Sequence, residues 1–333
     1  MKHNPLMHSL LVLMFACHAS LAQAQTMPWK PSRAIELIVQ SGAGGSSDRS
    51  ARVTQKLLAT LPGFPSVTVN NKPGAGGLMA MHFLNQHTSD AHFIATLSTT
   101  VITNHLLGLS PLSFRHFSPL SILLREYPVF ITRIDSPIAN ARDLVQRLRK
   151  DPASVSFSYA TARGNHNHVM IGLLIKAAGG DPRKAKAIVY NTGGEATTAA
   201  LGGHVDVGVV APANVIALLA AGKIRVLGIA APQRQGGAFA AAPTLREQGV
   251  NAVYFSWRGF MGPKGLTPAQ LAFWDQAFAQ LAKAPDWKQD VERNAWAEDL
   301  MNSTQTLRHL ESETEILQKL LLELGVVTRG TAI

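Results

Sequence analysis

The chain has 333 residues, 46% hydrophobic and 16% charged, which is enough apolar material for one large core or two medium ones and excludes intrinsic disorder. Its 27 Gly and 18 Pro follow no collagen period, and neither a coiled coil nor a repeat of 20 to 50 residues is present. The formal charge of +10 favours anionic partners, but the basic residues are scattered; the densest stretch is Arg147, Arg149 and Lys150, so the clustered footprint of a nucleic-acid binder is missing.

Residues 1–24 carry one base, Lys2, and no acid, with an apolar stretch from Leu10 to Ala16 and small residues through Ala22-Gln23-Ala24. This pattern predicts a cleaved secretory signal with cleavage near Ala22 or Ala24, and the stretch is shorter than the ~20 residues of a membrane-spanning helix. Cys17, the sole cysteine, falls inside it; lipidation there is the rival reading, opposed by the bulky Phe15 before it. The mature chain then has neither a disulfide nor a thiolate metal site.

Strand-like Ile35–Val39 is followed by Ser41-Gly42-Ala43-Gly44-Gly45-Ser46-Ser47 and by a helix marked by Val53, Leu57, Leu58 and Leu61, with Ser47 or Asp48 as N-cap and Pro62-Gly63 as stop. The order repeats with a strand at Ser66–Val69, the turn Asn70 to Gly77 and a helix from Leu78 to about Gln86. Phe93–Leu97 is a third strand ending in Ser98-Thr99-Thr100, and Leu123–Thr132 reads as one strand leaving the first lobe.

A helix at Ala141–Lys150 and a strand at Ser154–Tyr159 lead into the polar loop Ala160 to His168, which precedes a helix at Val169–Ala178. Strands at Ala187–Tyr190, Val205–Val210 and Arg225–Ala230, with a helix at Ala196–Leu201, complete a second α/β lobe. The segment from Gln233 to Ala242 reads as a mobile loop and Pro243-Thr244 as the entry to a short helix. Beyond it the chain closes with helices, one starting at Thr267-Pro268 and a last one whose leucines end at Gly325. The expected division is therefore 25–122 with 232–333 in lobe 1 and 123–231 in lobe 2.

Two loops stand out chemically. Ala43, Gly44 and Gly45 place backbone N–H groups and a helix N-terminus at the carboxyl edge of a strand, where open α/β sheets bind anions. Asp48 is either a cap or a ligand contact, and Ser98 and Thr99 end a strand at the same edge. Thr161, Gly164 and Asn165 occupy the matching position in the second lobe, with Arg163 as a possible cation. The Rossmann glycine pattern is broken by serine, no Gly-x-Ser-x-Gly elbow is present, and His166 and His168 lack a third metal ligand. No cofactor and no metal are expected. A secreted hydrolase using His166 or His168 is the enzymatic alternative, and a sensing module that binds a partner protein is a third class.

These segments, taken in order, resemble a known family. Gly42-Ala43-Gly44-Gly45 with Asp48 and Arg52, Val69-Asn70-Asn71-Lys72-Pro73-Gly74-Ala75-Gly76-Gly77, Tyr190 with Gly193-Gly194-Glu195-Ala196, Leu201-Gly202-Gly203-His204-Val205-Asp206, and Trp257-Arg258-Gly259 resemble the Bug (Bordetella uptake gene) proteins, solute receptors of tripartite tricarboxylate transporters. The resemblance spans residues 27 to 327. It implies an α/β two-lobed periplasmic binding protein fold of the second type (Venus flytrap), a monomer without enzymatic activity, a small organic acid pinched between two loops, and a membrane permease as partner. It adds Tyr190 and Asp206 to the site residues. Departures from the family pattern at Ala160, Ala162 and Asp90-Ala91-His92-Phe93 leave the identity of the acid open.

Overall fold

The computed structural model describes residues 28–327; the expected signal segment and Cys17 lie outside the described residues. The elements are, in order, β1 (Ile35–Val39), α1 (Ser46–Leu58), β2 (Val67–Asn71), α2 (Leu78–Asn85), β3 (Phe93–Leu97), α3 (Thr100–Leu106), β4 (Phe117–Glu126), β5 (Val129–Arg133), α4 (Ala141–Lys150), β6 (Ser156–Ala160) and α5 (His166–Ala177). There follow β7 (Lys186–Tyr190), α6 (Gly193–Leu201), β8 (Val207–Val210), α7 (Ile216–Ala220), β9 (Ile224–Ile229), β10 (Ser256–Pro263), α8 (Pro268–Lys283), α9 (Pro285–Arg293), β11 (Ala297–Met301) and α10 (Ser303–Glu323).

The strands form two sheets, ordered β11-β4-β10-β3-β1-β2 and β7-β6-β8-β5-β9. In the first, β1 has parallel neighbours on both sides, β2 and β3; in the second, β6 has parallel neighbours β7 and β8. The chain therefore reverses its winding direction at β1 in one lobe and at β6 in the other. At such a switch point the connections diverge to opposite faces and leave a crevice beyond the strand's carboxyl end. Both loops singled out in the sequence begin there.

Burial explains the elements. Ile35, Leu37 and Val39 of β1 are buried with Leu57, Leu58, Trp274, Phe278 and Trp287, so α1, α8 and α9 cover that face of the first sheet. In the second lobe Phe157, Val169, Met170 and Leu174 pack together, while Val129, Ile131, Ala196 and Ala200 bury the opposite face. Caps set the helix starts: Thr267 with Gln270 opens α8 and Asn302 with Gln305 opens α10.

Several expectations are corrected. The run Leu123–Thr132 is two strands: β4 belongs to the first sheet through Glu126, Tyr127-Pro128 carries the chain across, and β5 belongs to the second. Proline at the crossing supplies no N–H for a continuous ladder. The return crossing comes late as well. Thr244 bridges Ile229, Leu245 N donates to the Ile229 carbonyl and the Gln248 side chain donates to Leu227, so residues 244–248 pack on β9 of the second lobe rather than joining the first at 232. Helix α3 and strands β10 and β11 escaped the sequence reading. Every residue of β10 is buried, so it shows no alternation, and Gly259 sits where an added Cβ would collide with the Ser121 carbonyl oxygen.

The last helix ties the lobes together. It starts beside β4, where Thr306 Oγ1 accepts from Ile122 N at 3.1 Å, and ends on α5, where Glu323 pairs with Lys176 at 2.6 Å and Leu324 fills the space over Gly172.

Candidate functional site

Several chain segments from both lobes converge on one cavity between them. The first is the β1–α1 connection, which contributes Ser41, Gly45, Ser46 and Ser47. The second is the β6–α5 connection, which contributes Ala160, Thr161, Asn165, His166 and Asn167. The third is β10, which contributes Arg258. The inner chamber is about 40 Å³, room for about three waters or one carboxylate head. An outer chamber of about 450 Å³ shares Gln40, Ser41 and Thr161 with it and continues past Pro73–Gly77 to Thr192 and Glu195. The lobes meet closely at its edge, since a Cβ on Gly76, whose φ is +64°, would lie 2.8 Å from the Ala162 Cβ.

The first loop is held from outside the cavity. Asp48, buried in the first turn of α1, accepts from Gly44 N at 2.9 Å, from Arg52 Nε at 2.9 Å and from Asn71 Nδ2 at 2.9 Å. Burial alone would raise its carboxyl, but the hydrogen bonds from Arg52, Asn71 and Gly44 outweigh that and hold it below the ordinary carboxylate range. Asp48 is a brace rather than the N-cap; Gly45 holds the N-cap position. Ala43 and Gly44 are exposed on the outer limb of the loop, and the Gly44 amide is spent on Asp48, so of the three loop residues expected to cradle an anion only Gly45 lines the cavity.

The second loop uses neutral groups. Asn165 caps α5 by accepting from His168 N at 3.0 Å, and its Nδ2 donates to the Ala160 carbonyl. That cap starts α5 at His166, so His166 and Asn167, expected in the loop, form its first turn. His168 points elsewhere: it stacks on Tyr159 with centroids 5.1 Å apart and its Nδ1 accepts from Gly164 N at 3.0 Å. Burial, helped by the charge of Arg163, lowers His168 to about 4. His166 is buried on the cavity wall, and burial together with the nearby Arg258 cation depresses it strongly, so it stays neutral at physiological pH.

Behind the cavity lies a buried ion pair. Arg258 Nη2 is 3.1 Å from Glu126, with the two side chains 9% and 2% exposed. Glu126 also receives Trp296 Nε1 at 2.9 Å and the Ser46 hydroxyl at 2.6 Å, and Arg258 Nε donates to Ser46 Oγ at 3.4 Å. The β10–β4 register shifts between Arg258 and Gly259. Such a bulge re-aims the side chain beside it, here onto the cavity.

Of the remaining expected site residues, Ser98 lines the cavity and is held by Gln40 Nε2 at 2.5 Å, and Thr161 lines both chambers. Thr99 is fully buried beside it without lining either chamber. Gly164 packs against Leu107 and Thr103 of the facing lobe instead of presenting its amide, and Arg163 is exposed outside both chambers. Tyr190 ends β7 beside Ala160 without lining either chamber, and Asp206 accepts from Ser156 N at 2.7 Å, bracing the start of β6. Gln40, Asn167, Asn214 and the cavity role of Arg258 were not expected, while Ser46 was expected as part of the glycine-containing loop and Thr100 among the strand-end hydroxyls. Of the unexpected residues only Arg258 carried a signal in the sequence, as the cation of the run Trp257-Arg258-Gly259.

Among the described residues no helix is long and apolar enough to cross a membrane, and no group of three potential metal ligands is present. Residues 51–326 match the family model described as tripartite tricarboxylate transporter family receptor. Protein BugT of Bordetella pertussis is 27% identical over 259 residues, covering 76% of this chain and 78% of its own. Two solved Rhodopseudomonas palustris structures share the fold. One, with adipate, superposes with TM-score 0.80 at 21% identity, covering 89% of this chain and 98% of its own. The other, MatC with bound malate, gives 0.76 at 20%, covering 87% and 99%. The chain described here belongs to the tripartite tricarboxylate transporter receptor family.

Proposed function

We propose that this protein is exported through its first 24 residues to the periplasm, closes its lobes on a small carboxylate, such as a dicarboxylate or tricarboxylate, and presents it to the permease of a tripartite transporter. The observation that carries this reading is the meeting of two helix first turns, from α1 and α5, with the Arg258 guanidinium on one cavity. Each supplies N–H donors and positive potential to an anion, and because they come from different lobes, all three contact it only when the lobes are together. The malate and adipate held by the two solved relatives are acids of a size that suits an inner chamber for one carboxylate and an outer chamber for the rest. The sheet memberships support a lobe 1 built from both ends of the chain and a lobe 2 from its middle.

Isothermal titration of the folded protein against malate, adipate and citrate tests the reading. Saturable binding with the acid recovered intact is expected. Gly45→Asp, which adds a negative charge to the cavity wall beside Ser41 Oγ, is expected to abolish binding while the circular dichroism spectrum is retained. Turnover of the acid, or unchanged affinity in that variant, overturns it.

A further inference from the structure

The residues lining the cavity carry an unmet acceptor as well as unmet donors. Asn167, 5% exposed, lines the inner chamber. Its Nδ2 donates to the Ala160 carbonyl at 3.3 Å, which sets the orientation of the amide and leaves Oδ1, buried and without a hydrogen-bond partner among the described residues, as an acceptor. Buried carbonyl oxygens are rarely left unpaired in native proteins because the loss of hydration is not repaid. Arg258 presents the opposite shortage. Its Nε and one Nη serve Ser46 and Glu126, and the other N–H groups meet no protein acceptor among the described residues. One small molecule that satisfies both walls needs an anionic oxygen for Arg258 and a hydrogen-bond donor for Asn167.

That donor is a hydroxyl rather than an ammonium. The first turns of α1 and α5 and the guanidinium all make the inner chamber positive; of the nearby carboxylates, Glu126 is enclosed by Arg258, Ser46 and Trp296 without lining it, and Glu195 lines only the outer chamber. A cationic donor is repelled there, whereas a hydroxyl brings no charge.

Resting on the carboxylate reading above, we infer that the site selects acids bearing a hydroxyl beside the charged end, with Arg258 holding the carboxylate and the hydroxyl donating to Asn167 Oδ1. Selectivity of this kind is strong because the analogue lacking the group leaves a buried acceptor unpaired.

Malate, succinate and aspartate share one four-carbon diacid skeleton and differ at one carbon by a hydroxyl, a hydrogen or an ammonium, so their titration tests the inference. Malate is expected to bind at least about tenfold more tightly than succinate, and aspartate more weakly than malate. In Asn167→Ala, whose lost bond to Ala160 is still supplied by Asn165, malate affinity is expected to fall to within about threefold of succinate while succinate is unchanged. Arg258→Lys, which retains a cation for Glu126 but not the planar fork, is expected to weaken all three acids by at least about fivefold. Equal affinities for malate and succinate, tighter binding of aspartate, an equal loss of both diacids in Asn167→Ala, or no loss in Arg258→Lys overturns the inference and leaves the carboxylate reading standing. Failure of every acid to bind the folded protein brings down that reading and the inference with it.

Discussion

The β1–α1 and β6–α5 connections occupy equivalent places in their lobes, each following the strand with parallel neighbours on both sides, yet they are held in shape by different chemistry. The first is clamped by a carboxylate, Asp48, that gathers an arginine, an asparagine and a backbone amide. The second is held by two asparagines and a neutral imidazole. Equivalent topology thus prescribes where an anion site forms without prescribing how its backbone is braced. The two solutions respond differently to acid and to truncation.

The largest effect is expected from removing the charged clamp. Asp48→Ala removes the acceptor of the Gly44 amide and of Arg52 Nε and one of the two acceptors of Asn71 Nδ2, which also donates to the Ser41 carbonyl, and should cost about 3 kcal/mol in urea unfolding, because three hydrogen bonds to one buried carboxylate are lost together. A loss below about 0.5 kcal/mol, within the range of an ordinary surface substitution, would show that the two loops are braced alike.

Acid separates the loops next. His168 is held neutral with its folded value lowered from 6.5 to about 4, so the unfolded chain takes up its proton first. Stability from this group is complete above about pH 6.5 and is lost progressively as pH falls towards 4. Asp48 behaves otherwise: its carboxyl is lowered, so its contribution is intact above the unfolded value near 3.9 and is lost only as pH falls through the folded value below that. Between pH 7 and 4.5 the second loop should therefore cost the protein about 2 kcal/mol while the Asp48 clamp of the first costs almost nothing. In His168→Phe, melting across that range should show a flatter dependence on pH, and an unaltered slope would assign the acid lability elsewhere.

The smallest effect belongs to the cap. Asn165→Ala removes the acceptor for His168 N and one of two donors to the Ala160 carbonyl, and should lower stability by about 1 kcal/mol in the same urea assay. A loss as great as that of Asp48→Ala would erase the contrast between a charged and a neutral brace.

Much of this site was legible because its parts are local. A strand, a glycine-containing loop and a capped helix start are written in neighbouring residues, and Gly45, Ser98, Thr161 and Asn165, expected on that ground, line the cavity. Misassignments arose where the role depends on direction. Gly44 and Gly164 lie in the right loops, but their amides turn to Asp48 and His168. Tyr190 and Asp206 lie in matching motifs yet serve the sheet rather than the cavity. Asn167 was hidden by a helix start placed three residues late, and Arg258 by a strand buried on both faces.

What the amino-acid order settled by itself is the alternation of strand and helix, the two lobes and the places where loops meet helix N-termini, since these follow from hydrophobic periodicity and glycine and proline chemistry over a few residues. Only the tertiary structure decided which polar atoms remain unpaired after the loops brace themselves, and that Arg258, more than 200 positions from Ser46, joins them. Hydrogen-bond directions and long-range strand pairing are satisfied jointly by the whole fold, so no local stretch of sequence carries them.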